Sequence, residues 1–310
     1  MSELVISARG LRKSYDGIEA VRGIDLEVAR GEIFAFVGPN GAGKTTTVEI
    51  LEGYRRRTAG EATVLGTDPA AAGREWRERV GIVLQECRMQ RELTVRETVS
   101  QYAGYYRHPR PVEETIELAG LSASADSRAG KLSGGQQRRL DVALALIGDP
   151  ELLFLDEPTT GFDPTARRQA WGMIANLREL GKTVFLTTHY MEEAQELADR
   201  VAIIADGRIV AEGPPDELGG PDEAVEVRFR LPAGLGVEEL PPAVRAAARA
   251  AGEPVRSNGQ VALYTDRPVE TLHELTGWAL ERSVGLAALQ IRRPSLEDVY
   301  LRLTAEADRE

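Results

Sequence analysis

The segment GPNGAGKT, residues 38–45, combines residue types that bind phosphate groups. It fits the pattern G-x-x-x-x-G-K-[ST], and it lies between the apolar run IFAFV, typical of a buried strand, and the start of a helical pattern. The glycines allow consecutive backbone N–H groups to face an anion, and the helix N-terminus adds positive charge. Lys44 can reach the β- and γ-phosphates, and the Thr45 hydroxyl is suited to Mg²⁺. A glycine-rich turn without a ligand is the weaker interpretation, because both flanking elements match the phosphate-binding motif.

Polar side chains also end two further apolar runs of strand length. Asp156 and Glu157 follow LLFL, and His189 follows TVFLTT. Alone, such carboxylates commonly cap a loop, and a lone histidine is usually structural. Downstream of a phosphate loop, Asp156 is instead expected to bind Mg²⁺, Glu157 to polarise the attacking water and His189 to donate to a γ-phosphate oxygen.

A second feature of the sequence resembles an anion site. The run LSGGQ, residues 132–136, precedes a helical pattern in which Leu140, Ala143, Leu144 and Ile147 form an apolar face. The first backbone N–H groups of such a helix have no partner within the helix, so they are free to bind a ligand.

The remaining patterns predict how these motifs are positioned. The segments VISARGLRKSY, EAVRGIDLEV and GEIFAFVG, separated by Asp-Gly and Arg-Gly turns, predict antiparallel strands. ELLFLDE and TVFLTTH, with the helix RQAWGMIANLREL between them, predict a βαβ unit with buried parallel strands. VAIIADGRIVAEG predicts a hairpin, and residues 74–128 show helical periodicity around the strand GIVLQ.

The C-terminal third predicts a separate small domain. Residues 213–224, GPPDELGGPDEA, have the composition of a linker, and we place the domain boundary between residues 1–220 and 221–310. Strand and helix patterns then alternate as βαββαβ, a ferredoxin-like order, with a short strand before Asn258. The last pattern, SLEDVYLRL, predicts a helix with Leu296, Val299, Tyr300 and Leu303 on one face.

Composition limits the possible functions. The 310 residues carry a formal net charge of -11, which disfavours a general nucleic-acid surface. Cys87 is the only cysteine, so no internal disulfide is possible, and a reducing compartment is expected. No apolar run has the length of a membrane span and no signal peptide is recognisable, so any membrane role is expected to depend on a partner.

Taken together, the phosphate loop, LSGGQ and Asp156 resemble the arrangement of ATP-binding cassette (ABC) proteins. The tail RRPSLEDVYLRLT, residues 292–304, resembles the ending of the ATPase subunits of daunorubicin-resistance-type, ABC-2 type exporters. The resemblance implies an α/β fold of the ABC type, with a mixed sheet core, an antiparallel β subdomain, a helical subdomain and a small C-terminal α+β domain. It also implies that two copies close head to tail around two ATP molecules with Mg²⁺.

The resemblance assigns further residues. Ser133 and Gly135 would bind the γ-phosphate held by a second copy, with Gly134 permitting close approach, and Gln85 would contact Mg²⁺ and sense the γ-phosphate. Tyr15 would stack on adenine, although a strand aromatic packed on the core is an equally good interpretation. Asp163 lies in the loop expected to cross the dimer interface, where Phe162 replaces the more usual leucine. The candidate nucleotide-binding residues are Tyr15, Gly38, Pro39, Asn40, Gly41, Ala42, Gly43, Lys44, Thr45, Thr46, Ser133, Gly134, Gly135, Gln136 and Asp163. The candidate catalytic residues are Lys44, Gln85, Glu157 and His189, and the candidate metal ligands are Thr45, Gln85 and Asp156.

The function implied is ATP hydrolysis that drives export of a small molecule through a separate integral membrane permease, at the cytoplasmic face of the membrane. Residues 86–107 would then receive a short helix of the permease, although a solvated amphipathic helix explains the same pattern. A soluble ABC protein acting on nucleic acid or ribosomes is the main alternative, disfavoured by a single cassette, no heptad run and the net charge of -11. A regulatory module that hydrolyses ATP poorly is disfavoured because Gln85, Glu157 and His189 are all present.

Overall fold

A computed structural model describes residues 3–84, 90–218, 225–232, 234–250, 255–256, 260–292, 296–297 and 300. These residues form two compact units, of which the first extends to Pro215 and the second begins at Asp216. Among the residues described, no helix is both long and apolar enough to cross a membrane.

The first unit is built on a six-stranded sheet in the order β5-β6-β7-β3-β8-β9, in which only β9 runs antiparallel to its neighbour. Its strands are β3 (Ile33–Val37), β5 (Val80–Val83), β6 (Leu152–Asp156), β7 (Thr183–Thr188), β8 (Arg200–Ala205) and β9 (Arg208–Gly213). Helix α1 (Lys44–Leu51) follows β3, α6 (Pro164–Glu179) connects β6 to β7, and α7 (Met191–Leu197) connects β7 to β8. The Phe185 ring contacts those of Phe34, Phe36 and Phe154 at the centre of the sheet. The predicted βαβ unit and hairpin are confirmed.

A three-stranded antiparallel sheet in the order β2-β1-β4 covers this core. It contains β1 (Leu4–Tyr15), β2 (Ile18–Ala29) and β4 (Ala59–Val64). The prediction that IFAFV belongs to an antiparallel set is wrong, because β3 pairs in parallel with β7 and β8. All five side chains of β3 are buried, as expected for a strand packed on both faces.

The predicted helical periodicity corresponds to several short helices around β5. They are α2 (Arg74–Glu78), α3 (Val95–Ala103), α4 (Val112–Leu118) and α5 (Gly134–Leu146), with 3-10 turns at Pro69–Ala71, Ser122–Ser124 and Ala129–Lys131. The face predicted for α5 is buried, and Leu140 and Ala143 pack with Val95, Val99 and Ile116 in one apolar cluster. The mixed sheet, the antiparallel sheet and this helical segment agree with the predicted fold class.

The second unit is an antiparallel sheet with two helices. Its strand order is β11-β12-β10-β13, with Val227, Phe229, Leu263 and Leu275 in its apolar core. Its elements along the chain are β10 (Val225–Arg230), a 3-10 turn (Val237–Glu239), α8 (Pro242–Ala250), β11 (Val255–Arg256), β12 (Gln260–Thr265), α9 (Pro268–Glu281) and β13 (Ala287–Arg292). On the predicted last helix Leu296 is buried, whereas Val299 and Leu303 lie outside the described residues.

Candidate nucleotide site

The phosphate loop lies between β3 and α1, and two of its glycines are required by sterics. A Cβ atom on Gly43, which has φ of 102°, would stand 2.4 Å from the carbonyl oxygen of Ala20. A Cβ atom on Gly38 would stand 2.3 Å from the carbonyl oxygen of Ile204. The loop is therefore packed tightly against β2 and β8, which hold its backbone at the end of the sheet.

Lys44 is the buried cation of this loop, with 8% of its surface exposed. Its Nζ donates to the carbonyl oxygens of Gly38 (2.6 Å) and Pro39 (3.0 Å). Burial lowers the pKa of Lys44, while the nearby carboxylates of Glu157 and Asp156 act in the opposite direction. An anion bound beside Lys44 would favour its charged form, as expected for a phosphate-binding lysine.

Asp156 ends β6, and its carboxylate is oriented by the neighbouring strand. Its Oδ1 accepts a hydrogen bond of 2.5 Å from the hydroxyl of Thr187 on β7. No hydrogen bond to Oδ2 occurs among the described residues, so this oxygen is left for another ligand. A carboxylate oxygen and the exposed hydroxyl of Thr45 are the ligand types that Mg²⁺ prefers, so these two residues fit that ion.

Glu157 and His189 meet at the ends of adjacent strands. The Nδ1 atom of His189 lies 3.1 Å from Oε1 of Glu157, and the Thr160 hydroxyl donates to Oε2 at 3.1 Å. Glu157 has φ of +46°, an uncommon conformation for a residue with a side chain. Its backbone N–H donates to the carbonyl oxygen of Thr187 at 3.1 Å, and this hydrogen bond helps to hold the uncommon conformation. This geometry holds a half-buried carboxylate beside an imidazole, a suitable pair for proton transfer.

The start of α5 forms a capping box. The backbone N–H of Ser133 donates to Oε1 of Gln136 (3.0 Å), and that of Gln136 donates to the Ser133 hydroxyl (3.3 Å). The N–H groups of Gly134 and Gly135 have no acceptor in their own helix by helix geometry. Within one chain, a Cβ atom on Gly134 would meet nothing within 4 Å. Gly134 is thus exposed, whereas Gly135 is half-buried, and a Cβ atom there would lie 3.6 Å from Cβ of Ala166.

Arg138, one turn further along α5, joins that helix to the strand ends. Its guanidinium donates to the backbone carbonyl oxygens of Asp156 (2.5 Å) and Pro158 (3.2 Å), and also to that of Leu84. Only 9% of Arg138 is exposed. Arg138 therefore links α5 to the backbone that carries Asp156 and Glu157.

The contacts of the other predicted residues say less about their roles. Tyr15 is half-buried at the end of β1, with Lys13 Nζ 4.9 Å and the Arg55 guanidinium 5.3 Å from its ring centroid, so it is no part of the apolar core. Asp163 caps α6 by accepting from the backbone N–H groups of Thr165 (2.8 Å) and Ala166 (2.9 Å). Pro39, Asn40 and Gly41 are exposed on the loop, Ala42 is buried and Thr46 is half-buried. Gln85, like Cys87, lies outside the described residues.

Three residues in or near this site were not predicted from the sequence. Thr187 and Arg138 act through the contacts given above. Glu193 on α7 is fully buried, and its Oε1 accepts from the Thr159 hydroxyl (2.8 Å) and from Nε1 of Trp171 (3.1 Å). In the sequence, only their position near a motif could have marked these three residues, because none of them had been assigned a function there.

Comparisons with known proteins agree with this geometry. The family described as ABC transporter matches residues 21–160, and an ABC transporter domain-containing protein-like, C-terminal domain matches residues 225–295. Nod factor export ATP-binding protein I from Rhizobium sp. (strain N33) is 41% identical over 310 residues, covering 98% of each chain. The chain belongs to the ABC transporter family of ATP-binding proteins.

Other relatives support the same assignment of this ABC ATPase. Daunorubicin resistance ATP-binding protein DrrA2 from Streptomyces coeruleorubidus is 39% identical, covering 98% of this chain and 96% of the relative. Among solved structures, CbiO1 from Clostridium perfringens is 28% identical, with a TM-score of 0.62 over 69% of this chain and 90% of that one. A dimeric ATP-binding cassette bound to ADP and Pi is 26% identical, with a TM-score of 0.60 over 67% of this chain and 98% of that one. The ABC ATPase therefore binds nucleotide and hydrolyses ATP.

Proposed function

We propose that this ABC ATPase drives the export of a small molecule, such as a drug or antibiotic, through a separate ABC-2 type permease. Its full-length relatives are named for Nod factor export and daunorubicin resistance. The observation that supports the proposal is that one chain carries both a phosphate loop before α1 and an exposed helix start at Ser133 and Gly134. Within the described residues the phosphate loop and the start of α5 share no hydrogen bond, and we expect a second copy to bring the two surfaces together around the nucleotide.

The residues then have distinct roles in hydrolysis. The loop N–H groups and Lys44 bind the phosphates, while Ser133 and Gly135 of a second copy contact the γ-phosphate from the other side. Glu157 accepts a proton from the attacking water, and His189 orients Glu157 and contacts the γ-phosphate. Tyr15 stacks on adenine.

The same proposal places Mg²⁺ at Thr45, Asp156 and Gln85. When bound, the ion would supply charge neutralisation at the phosphate oxygens. The described residues support this through the free Oδ2 of Asp156 and the exposed hydroxyl of Thr45. Gln85 enters on the family resemblance alone.

The proposed location is the cytoplasmic face of the membrane, where the ABC ATPase is held by the permease. The test is a pull-down of tagged Glu157→Gln protein with MgATP from detergent-solubilised membranes of its own host. Closing the dimer without hydrolysis should retain the partner, and recovery of a multi-span protein supports the proposal. Recovery of ribosomal or DNA-bound proteins without a membrane protein would overturn it in favour of the soluble alternative.

A further inference from the structure

A buried acid, Glu193, lies on α7 only four residues after His189. None of its surface is exposed, and its Oε1 accepts from the Thr159 hydroxyl at 2.8 Å and from Nε1 of Trp171 at 3.1 Å. Both donors belong to another part of the chain, which runs from the end of β6 into α6. Because burying a carboxyl group is unfavourable unless its oxygens are hydrogen-bonded, Glu193 depends on these two contacts across the fold.

The segment that Glu193 contacts also carries the proposed base, Glu157. Thr159 is fully buried, so its hydroxyl depends on an acceptor within the protein. The next residue, Thr160, donates from its hydroxyl to Oε2 of Glu157 at 3.1 Å. The hydrogen bond from Thr159 to Glu193 therefore fixes the backbone next to the residue that orients the Glu157 carboxylate.

The helix that carries Glu193 begins directly after the segment of His189. Nδ1 of His189 lies 3.1 Å from Oε1 of Glu157, and the two side chains are 40% and 15% exposed. A partly exposed pair of this kind contributes little free energy, so it does not by itself hold the two segments in place. The buried contacts of Glu193 join the same two segments away from solvent, and they are better placed to set the distance between Glu157 and His189.

A second contact joins α6 to the segment of His189. The ring centroids of Tyr190 and His189 are 4.0 Å apart, and the Arg167 guanidinium, in the first turn of α6, lies 4.2 Å from the Tyr190 centroid. A cation on an aromatic face is attractive, so this stack holds Tyr190 against α6. Helix α6 therefore contacts this part of the chain twice, through Arg167 on Tyr190 and through Trp171 on Glu193.

We propose that Glu193 is a positioning residue for ATP hydrolysis, holding the segments of Glu157 and His189 so that the Glu157 carboxylate can accept a proton from the attacking water. The inference rests on the proposed role of Glu157, and it does not depend on which molecule is transported. A displacement of about 1 Å at a reacting group can lower a rate about 100-fold, so loss of these contacts acts on the chemical step. ATP binding depends instead on the phosphate loop and Lys44, and it should be little affected.

The experiment compares Glu193→Ala and Glu193→Gln with a matched control, Glu192→Ala. Glutamine keeps an oxygen that can accept from both donors, whereas Glu192 is the preceding acid of α7 and is exposed. Thr159→Val removes one of the hydrogen bonds from the other side, so the test does not depend on the folding of Glu193→Ala alone.

For each purified chain, kcat and KM are measured by phosphate release, ATP affinity by nucleotide titration and stability by thermal unfolding. All rates are measured well below the unfolding temperature of the least stable variant. Glu157→Gln is prepared with and without Glu193→Ala, and its dimer fraction with MgATP is measured by size-exclusion chromatography.

The expected result is a loss of at least about tenfold in kcat for Glu193→Ala and a loss in the same direction for Thr159→Val, with ATP affinity within about twofold of wild type. Glu193→Gln and Glu192→Ala should keep kcat within about twofold. Adding Glu193→Ala to Glu157→Gln should lower the residual turnover less than about twofold, because Glu193 acts through Glu157. The dimer fraction of Glu157→Gln should be unchanged.

Four results would overturn the inference in different ways. If folded Glu193→Ala and Thr159→Val keep the wild-type kcat and only unfold at lower temperature, Glu193 is purely structural. If Glu193→Gln loses as much activity as Glu193→Ala, the hydrogen bonds are not what matters. If Glu193→Ala lowers the dimer fraction, the residue acts on association of the two copies. In these three cases the proposed function stands, whereas near-normal turnover of Glu157→Gln would refute the proposed role of Glu157 and the inference with it.

Discussion

Replacing Glu52 by glutamine should stabilise the isolated ABC ATPase, and the gain should grow as the pH rises. The native protein holds this carboxyl in a cavity where its pKa is about 8, against 4.5 for a free side chain. The native state therefore retains a proton that the unfolded chain releases. Stability is highest below pH 4.5 and falls as the pH rises toward 8.

The size of the effect follows from the two pKa values. Each pH unit between them costs about 1.4 kcal/mol of unfolding free energy, so wild type loses about 3 to 4 kcal/mol between pH 5 and pH 8. Glutamine has nearly the same shape and no titration, so the Glu52→Gln protein escapes this loss. The figure is an upper limit, because water entering the cavity would solvate the carboxylate.

The assay is urea unfolding of wild type, Glu52→Gln and Glu49→Gln at pH 5 and pH 8, followed by tryptophan fluorescence. Two of the three tryptophans, Trp76 and Trp171, lie in the first unit, and Trp76 lines the cavity, so most of the emission reports on this unit. Glu49→Gln removes an acid that is already paired with Arg55, and its effect should not increase with pH. The expected gap between wild type and Glu52→Gln is below about 1 kcal/mol at pH 5 and several kcal/mol at pH 8.

An equal gap at both pH values would refute the reasoning, since Glu52 would then not titrate differently in the native and unfolded states. A gap that shrinks at pH 8 would show the opposite sign, which is the behaviour of a carboxylate stabilised in the native state.

Three other changes test the nucleotide site. Lys44→Ala removes the buried cation of the loop and should lower ATP affinity or turnover at least about 100-fold. Nucleotide titration and phosphate release measure the two quantities, and retention of both would show that the loop is not the active site. Glu157→Gln should keep ATP binding, increase the dimer fraction in size-exclusion chromatography with MgATP and lower turnover at least about 100-fold, and near-normal turnover would exclude Glu157 as the base. Glu193→Gln keeps an oxygen that can accept from the Thr159 hydroxyl and from Nε1 of Trp171, so it should preserve stability and rate. Glu193→Ala leaves both donors unpaired and should cost about 1–3 kcal/mol in thermal unfolding, and equal effects of the two changes would show that these hydrogen bonds do not matter.

The sequence predicted the parts of the fold that depend on local pattern. Apolar runs predicted the parallel βαβ unit around α6, the Asp206-Gly207 hairpin and the helix that begins in LSGGQ. Burial patterns and turn formation depend on residues that are close together in the sequence, so a short stretch is enough to predict them. Strand β4 escaped prediction, since only two of its six side chains are buried and it contains a glycine. The roles given to Tyr15, Gln85 and Asp163 remain predictions from family resemblance.

By itself, the sequence determined which chemistry is available: a phosphate loop, a carboxylate pair at a strand end, a histidine and a second helix start with free N–H groups. Only the tertiary structure decided which of these groups meet. Glu157 reaches His189 because β6 and β7 are adjacent in the sheet, and Glu52 is buried because residues far along the chain close the cavity around it. Pairings of this kind depend on the order of strands and the packing of helices, which no short stretch of sequence contains.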